Sequence, residues 1–392
     1  MITRRSALLG LSAAWSLGGR ASLALAAAPT ERRLVVVLLR GALDGMAAVS
    51  PYGDADLLGL RPGLAGTEPG RPGGVLDLGG FFGLHPALAG LHGMYAAGEM
   101  LAVHAVAGPY RSRSHFDAQD YLESGAETRL SSGWLNRAVG ALPGRAGAKG
   151  AGALAVGVQI PLLLRGPAEV GSYAPQDQPP PSPDLYARIA DLAHGDALLG
   201  PAVVEGMRDR GFSGATLAGM EAPARGRNAF AALAAAAGRL MAAPDGPRVA
   251  ALEVGGWDTH AAQAQRLQGP LRGLDAGLAA LKDGLGGAWA QTAVLVMTEF
   301  GRTARVNGTG GTDHGTAGVA FVLGGAVAGG RVLGAWPGLA ADKLHEGRDL
   351  APTTDLRTVA AGLLTDHLGV PAAALGAVFP GGVAGMGGLV RV

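Results

Sequence analysis

Short, largely apolar runs recur along this chain, and most of them end in a glycine-flanked cluster of polar residues. The run 34–39 is unbroken and rich in β-branched side chains. A strand buried on both faces shows no alternation of apolar and polar positions. Residues 34–39, 100–106, 153–158, 249–254, 293–297 and 319–323 are therefore predicted as strands. Between the fourth and fifth of these, Leu267, Leu271, Leu274, Leu278, Leu281 and Leu285 recur at helical spacing. Residues 86–97 and 116–123 are also predicted as helices, ending at Gly98 and near Gly125. Strand–helix–strand alternation implies an α/β fold, a mostly parallel sheet flanked by helices.

The remaining stretches set the organisation. Residues 51–82 are rich in Gly and Pro and are predicted as loop. Residues 174–183, with Pro179, Pro180, Pro181 and Pro183, are predicted as a stiff extended loop. From 184 to 245 the pattern is helical, with Asp184 as an N-cap and an Ala-rich stretch over 228–241. That segment carries no chemical motif and is predicted to be an insertion or cap on a single domain spanning 33–392.

The N-terminus has a different character. Arg4 and Arg5 precede an apolar stretch over 7–17, and small residues follow to Ala26. This order fits a signal peptide over 1–26, and the paired arginines fit the twin-arginine export machinery. Ala7 stands where that motif often has Phe. The apolar stretch is too short and interrupted for a stable membrane span. The expected location is periplasmic or secreted.

Composition narrows the chemistry. The chain is 48% hydrophobic and 16% charged, so a large core is feasible. It has no Cys, which excludes disulfides, thiolate catalysis and Cys-type metal sites. Any metal must bind through His, carboxylate or hydroxyl groups. A formal net charge of +1 argues against a nucleic-acid partner.

The polar clusters at the ends of apolar runs supply the candidates. Ligands of open α/β sheets bind beside the carboxyl ends of the strands. Asp44 follows the first run and is either a metal ligand or a turn residue before Gly45. Ser114, between Arg113 and His115, is either a nucleophile at a helix start or an ordinary N-cap beside solvated arginines. Asp258 and His260 can share one metal if Gly255 and Gly256 keep the segment extended; otherwise Asp258 caps a helix. Glu299, with Arg302 close behind, follows a buried run and is either a ligand or merely solvated. Asp313 and His314 lie in a glycine-rich loop just before the run 319–323. Together these clusters favour a divalent metal (Zn, Ca or Mg) bound at one sheet edge.

The ordered set Arg40-Gly41-Ala42-Leu43-Asp44-Gly45, Ser114-His115-Phe116-Asp117, Gly256-Trp257-Asp258-Thr259-His260, Thr298-Glu299-Phe300-Gly301-Arg302-Thr303, Asp313-His314-Gly315 and Pro352-Thr353-Thr354-Asp355-Leu356-Arg357 resembles the bacterial DUF1501 family. The resemblance runs from about residue 33 to 379. That family is similar to the alkaline phosphatase and sulfatase superfamily. The resemblance implies an alkaline phosphatase-like α/β domain, one or two divalent metals and a Ser or Thr nucleophile. It casts Asp44, Asp258, His260, Glu299 and His314 as metal ligands and Ser114 as the nucleophile. Phe300 stands where the superfamily has a His. The implied activity is an exported metal-dependent hydrolase of phosphate or sulfate esters, acting on an anionic small molecule or glycan. Ser114 would attack, and Arg113 or Arg302 would clamp the anion. The alternatives are a non-catalytic, metal-stabilised protein that binds a cell-envelope glycan or a partner, and a metal-free relative of the same fold.

Overall fold

The computed structural model describes residues 31–143, 152–174, 183–193, 195–196, 199–217 and 229–391. The segment 1–26 predicted as a signal peptide and most of the Pro-rich loop lie outside the described residues.

Strands β1 (Arg33–Arg40), β2 (Met100–Ala107), β3 (Ala153–Val156), β4 (Val170–Tyr173), β5 (Val249–Gly255), β6 (Thr292–Thr298), β7 (Gly318–Leu323), β8 (Arg331–Leu333) and β9 (Thr354–Asp355) form one nine-stranded sheet. Their order is β8-β2-β7-β6-β1-β5-β3-β4, with β9 also paired to β2. At the centre, Val36 of β1 lies between Ala251 of β5 and Leu295 of β6, both parallel. Only β7 runs the other way, antiparallel to β2 and β6. The mostly parallel sheet expected from the pattern is thus present. Strands β4, β8 and β9 add to it, and residues within 49–84 form a separate three-stranded sheet of two-residue strands.

The unbroken apolar runs are explained by burial on both faces. Val35, Val37 and Leu39 enter one core; Leu34, Val36 and Leu38 enter the other. Three helices cover the first face: α1 (Ala89–Ala96), α2 (Ala229–Ala242) and α3 (Gln268–Leu285). The second is covered by α4 (Trp134–Gly140) and α5 (Leu356–Gly362). Each fully buried Val or Leu on these faces contributes roughly 1.5–3 kcal/mol. Helices α2 and α3 meet where neither Gly238 nor Gly284 has a side chain. A Cβ on either would lie 2.6 or 2.5 Å from a backbone oxygen of the facing helix. The helical segment expected over 184–245 contains helices Pro183–Ala193 and Leu199–Thr216 besides α2.

One buried histidine of the sheet has a pH signature. His104 in β2 donates from Nε2 to the Val49 carbonyl at 2.9 Å, and its Nδ1 accepts the Ala105 N–H at 2.9 Å. It stacks on Phe82 with ring centroids 5.2 Å apart. Both nitrogens are thus used by the neutral ring. Burial pushes its pKa down to about 4 from 6.5. Between those values the unfolded chain binds a proton that the folded chain does not. Stability is therefore full above pH 6.5 and falls as pH drops toward 4, by about 3 kcal/mol from this group. Urea midpoints of wild type and His104→Gln across pH 7 to 4 check this. The variant should lack that part of the acid loss; parallel curves would remove His104 as its source.

Candidate metal centre at the carboxyl edge

Strands β1, β2, β5 and β6 all end at one edge of the sheet. Because β7 is antiparallel to β2 and β6, it begins there. Asp258 and His260 follow β5, Glu299 and Arg302 follow β6, and His314 precedes β7. His115 opens helix α6 (His115–Ser124), reached through the loop after β2. The antiparallel run of β7 is therefore what brings His314 to the edge where the other loops emerge. A backbone bridge between Arg302 and His314 locks their two loops together. Gly41, at φ +117°, lets the loop after β1 pass so close that a Cβ would lie 2.9 Å from the Asp258 nitrogen. Gly311 does the same against the His260 backbone, at 2.2 Å.

The geometry converges on one point. His115, Asp258 and His314 each offer a ligand atom within 4.8 Å of the others. Asp258 Oδ1 lies 2.9 Å from His260 Nε2, 3.3 Å from His314 Nε2 and 3.6 Å from His115 Nε2. The opposite nitrogen of each ring is tied back. His115 Nδ1 lies 2.8 Å from Glu299 Oε1, His260 Nδ1 3.3 Å from Asp313 Oδ1, and His314 Nδ1 2.8 Å from the Arg113 carbonyl. Acceptors on all three Nδ1 atoms place the hydrogens there and leave lone pairs on the Nε2 atoms.

Two of those lone pairs face each other, with His260 Nε2 and His314 Nε2 3.0 Å apart. Arg302 Nη1 stands 3.5 Å from the same His260 nitrogen, and a cation seated between the two rings would satisfy both lone pairs. His115 Nε2 is buried with no hydrogen-bond partner. An orphaned buried imidazole nitrogen, beside a carboxylate oxygen and two further imidazoles, fits a cation.

The electrostatics follow the contacts. The Glu299 hydrogen bond raises the His115 pKa, against the effect of burial. Burial lowers that of His314. Burial would raise the carboxyl pKa of Asp258, but Arg302, His260 and His115 hold it below the usual range. Glu299 is likewise held low despite burial, by His115, the Gly41 N–H and Gln119.

Not every residue singled out by the sequence meets at this point. Asp258, His260 and His314 do, and Glu299 and Asp313 stand one layer back, each on an imidazole. Asp44 is fully buried and caps residues Gly45–Ala48 from Oδ1. Its Oδ2 accepts from Arg61 Nη1 at 2.7 Å and from Gln263 Nε2 at 2.6 Å. Arg113 is paired with Asp349 at 2.7 Å and with Glu346 at 2.6 Å. Arg302 is buried, donates to the Ala42, Gly41, Trp257 and Thr312 carbonyls, and contacts Asp258 through Nη2. Ser114 is the N-cap residue of α6, and its hydroxyl makes no capping bond.

His115 is the candidate ligand that the sequence pattern does not single out. Its one signal is that it sits in the same cluster after β2 as Ser114. Phe300 stacks on His115 with centroids 4.9 Å apart and packs on His314 at 5.1 Å. The position where a His is expected thus holds an aromatic floor under two imidazoles, and His115 brings a nitrogen from another loop.

Fold and site together define a mostly parallel α/β protein with a histidine-rich candidate metal centre at the carboxyl edge of its sheet. The chain belongs to the family described as Protein of unknown function (DUF1501), whose pattern matches residues 97–379. No curated protein matches it. Among solved structures, it is similar to Ps i-CgsB in complex with k-i-k-neocarrahexaose, at 10% identity and a TM-score of 0.38, over 87% of this chain and 73% of that one. It is also similar to an alkaline phosphatase superfamily protein from Vibrio parahaemolyticus (12% identity, TM-score 0.32), over 79% of this chain and 64% of that one. A third is the PsFucS1 sulfatase from Pseudoalteromonas sp. (13% identity, TM-score 0.32), over 84% of this chain and 68% of that one.

Proposed function

We propose that the protein is an exported metal-dependent hydrolase of phosphate or sulfate esters, with the ion held by His115, Asp258, His260 and His314. One observation carries this reading. The Nε2 atoms of the three histidines face Asp258 Oδ1, while each Nδ1 is tied to a separate acceptor. Three nitrogens and one oxygen suit zinc better than calcium or magnesium, which take oxygen ligands. A bound divalent ion supplies Lewis acidity toward an ester oxygen. The chain's own residues orient the substrate and move its protons. Ser114 is the nucleophile of this reading: it stands at the start of a ten-residue helix, whose dipole favours an anion, and its hydroxyl is not spent on a cap. Asp258 is partly open to solvent, so an ester can reach the centre from outside.

A second reading, a metal-stabilised protein that binds an envelope glycan or a partner without catalysis, is favoured by the arginines. Arg113 is committed to Asp349 and Glu346, and Arg302 to carbonyls and Asp258, so neither is free to clamp an anion. Metal analysis of the purified protein, followed by a panel of aryl phosphates and sulfates, separates the readings. The hydrolase reading expects bound zinc and turnover that Ser114→Ala abolishes. Bound metal with no turnover on any ester selects the second reading, and no bound metal rejects both.

Export rests on residues 1–26. Among the described residues no helix is long and apolar enough to cross a membrane. Export of an Arg4→Lys, Arg5→Lys double variant at the wild-type level would overturn the twin-arginine route.

A further inference from the structure

Beside the metal centre lies an open cleft of about 610 Å³. It shares Asp313 and Asn307 with the surroundings of the centre: Asp313 accepts from His260, and Asn307 Nδ2 donates to the His260 carbonyl at 2.9 Å. Part of its wall is apolar, from the buried Leu60 and Leu339 and the half-buried Leu344. Its cations are Arg305 and Arg348. Arg348 is committed, donating to the His314 carbonyl at 2.9 Å and lying 3.3 Å from Asp349. The guanidinium of Arg305 is exposed and makes no hydrogen bond or ion pair among the described residues.

The backbone under Arg305 is nevertheless fixed. The Thr303 hydroxyl donates to the Arg305 carbonyl at 2.9 Å and accepts the Asp313 N–H at 3.1 Å. The next residue, Val306, donates its N–H to the Leu60 carbonyl at 3.0 Å. A fixed backbone therefore holds an uncommitted cation in the lining of a part-apolar cleft, next to the candidate metal centre. Guanidinium groups bind planar and tetrahedral oxyanions through paired N–H donors.

We propose that the cleft binds the alcohol portion of the substrate, and that this portion carries an anionic substituent of its own (sulfate, phosphate or carboxylate) held by Arg305. The term substrate rests on the hydrolase reading; the cleft as a site for an anion-bearing ring compound does not.

Titration calorimetry on the protein as purified tests it, with 4-nitrophenyl glucoside 6-sulfate and its unsulfated parent as probes. Wild type should bind the sulfated probe about tenfold more tightly than Arg305→Gln does, and the parent equally in both. Ala341→Trp, at an exposed position lining the cleft, should block both probes. The proposal is overturned if Arg305→Gln binds the sulfated probe as tightly as wild type. It is equally overturned if Ala341→Trp leaves affinity unchanged, which would place the probe elsewhere. Arg305-dependent binding without hydrolysis of any ester removes the hydrolase reading and supports the cleft.

Discussion

Asp44→Ala is expected to destabilise the protein by about 3–5 kcal/mol, the usual cost of removing one partner from a buried ion pair. Asp44 and Arg61 are both buried, and their side chains meet at 2.7 Å. Without the carboxylate, Arg61 keeps the carbonyls of Ala304 and Thr303 but loses its counter-charge. The Met46 N–H loses its acceptor, while the Ala47 N–H keeps only the Asp44 backbone carbonyl. Gln263 loses the partner of its amide nitrogen, while its oxygen still accepts from Thr259 and Thr312. Those two threonines adjoin His260 and Asp313 in sequence, so the damage should spread to the edge of the candidate metal centre. Asp44→Asn keeps the shape without the charge and should fall between wild type and Asp44→Ala. Urea midpoints give the stability, and metal analysis of the folded protein gives the second readout. An unchanged midpoint with loss of bound metal would instead make Asp44 the ligand that its place after the first strand suggests.

The contrast between Asp44 and His115 shows what a sequence pattern can carry. Strands β1 and β6 are legible because burial on both faces forces unbroken apolar runs, and β5 because only its last three residues, from Glu253, leave the core. Helix α3 is legible because its leucines return every third or fourth residue toward one core. Strands β8 and β9, of three and two residues, carry no such signal; they exist only because β2 offers them an edge. The direction of β7 is also silent, since an apolar run reads the same both ways. Yet that direction brings His314 to the carboxyl edge. The strand-end acids and histidines are visible as types, but their roles depend on partners far along the chain. In sequence Arg113 has no counter-charge beside it; the fold brings Asp349 to it from 236 residues away. In sequence His115 is only the neighbour of a helix cap; Glu299, 184 residues away, turns its ring.

The largest functional effect is expected from that ring. His115→Ala should strip the centre of its metal and abolish any metal-dependent turnover, since it removes the one imidazole whose inward nitrogen has no other partner. Glu299→Gln should act on the same nitrogen from behind. It leaves the inward-facing atoms unchanged but takes the negative charge from the His115 Nδ1–H and lowers the basicity of the ligand. Outer carboxylates of this kind are worth about 10–100-fold in metal affinity. The two variants should therefore form a series, weakened binding in Glu299→Gln and none in His115→Ala. Competition with a chromophoric chelator measures the affinity, and the visible spectrum of the cobalt-substituted protein reports the ligand field directly. A merely structural role for Glu299 would lower the unfolding midpoint and leave that spectrum unmoved. If both variants hold metal as tightly as wild type while His260→Ala loses it, the centre is built on Asp258 and His260 without His115. The 2.8 Å contact between His115 and Glu299 would then be an ordinary buried ion pair packed on Phe300.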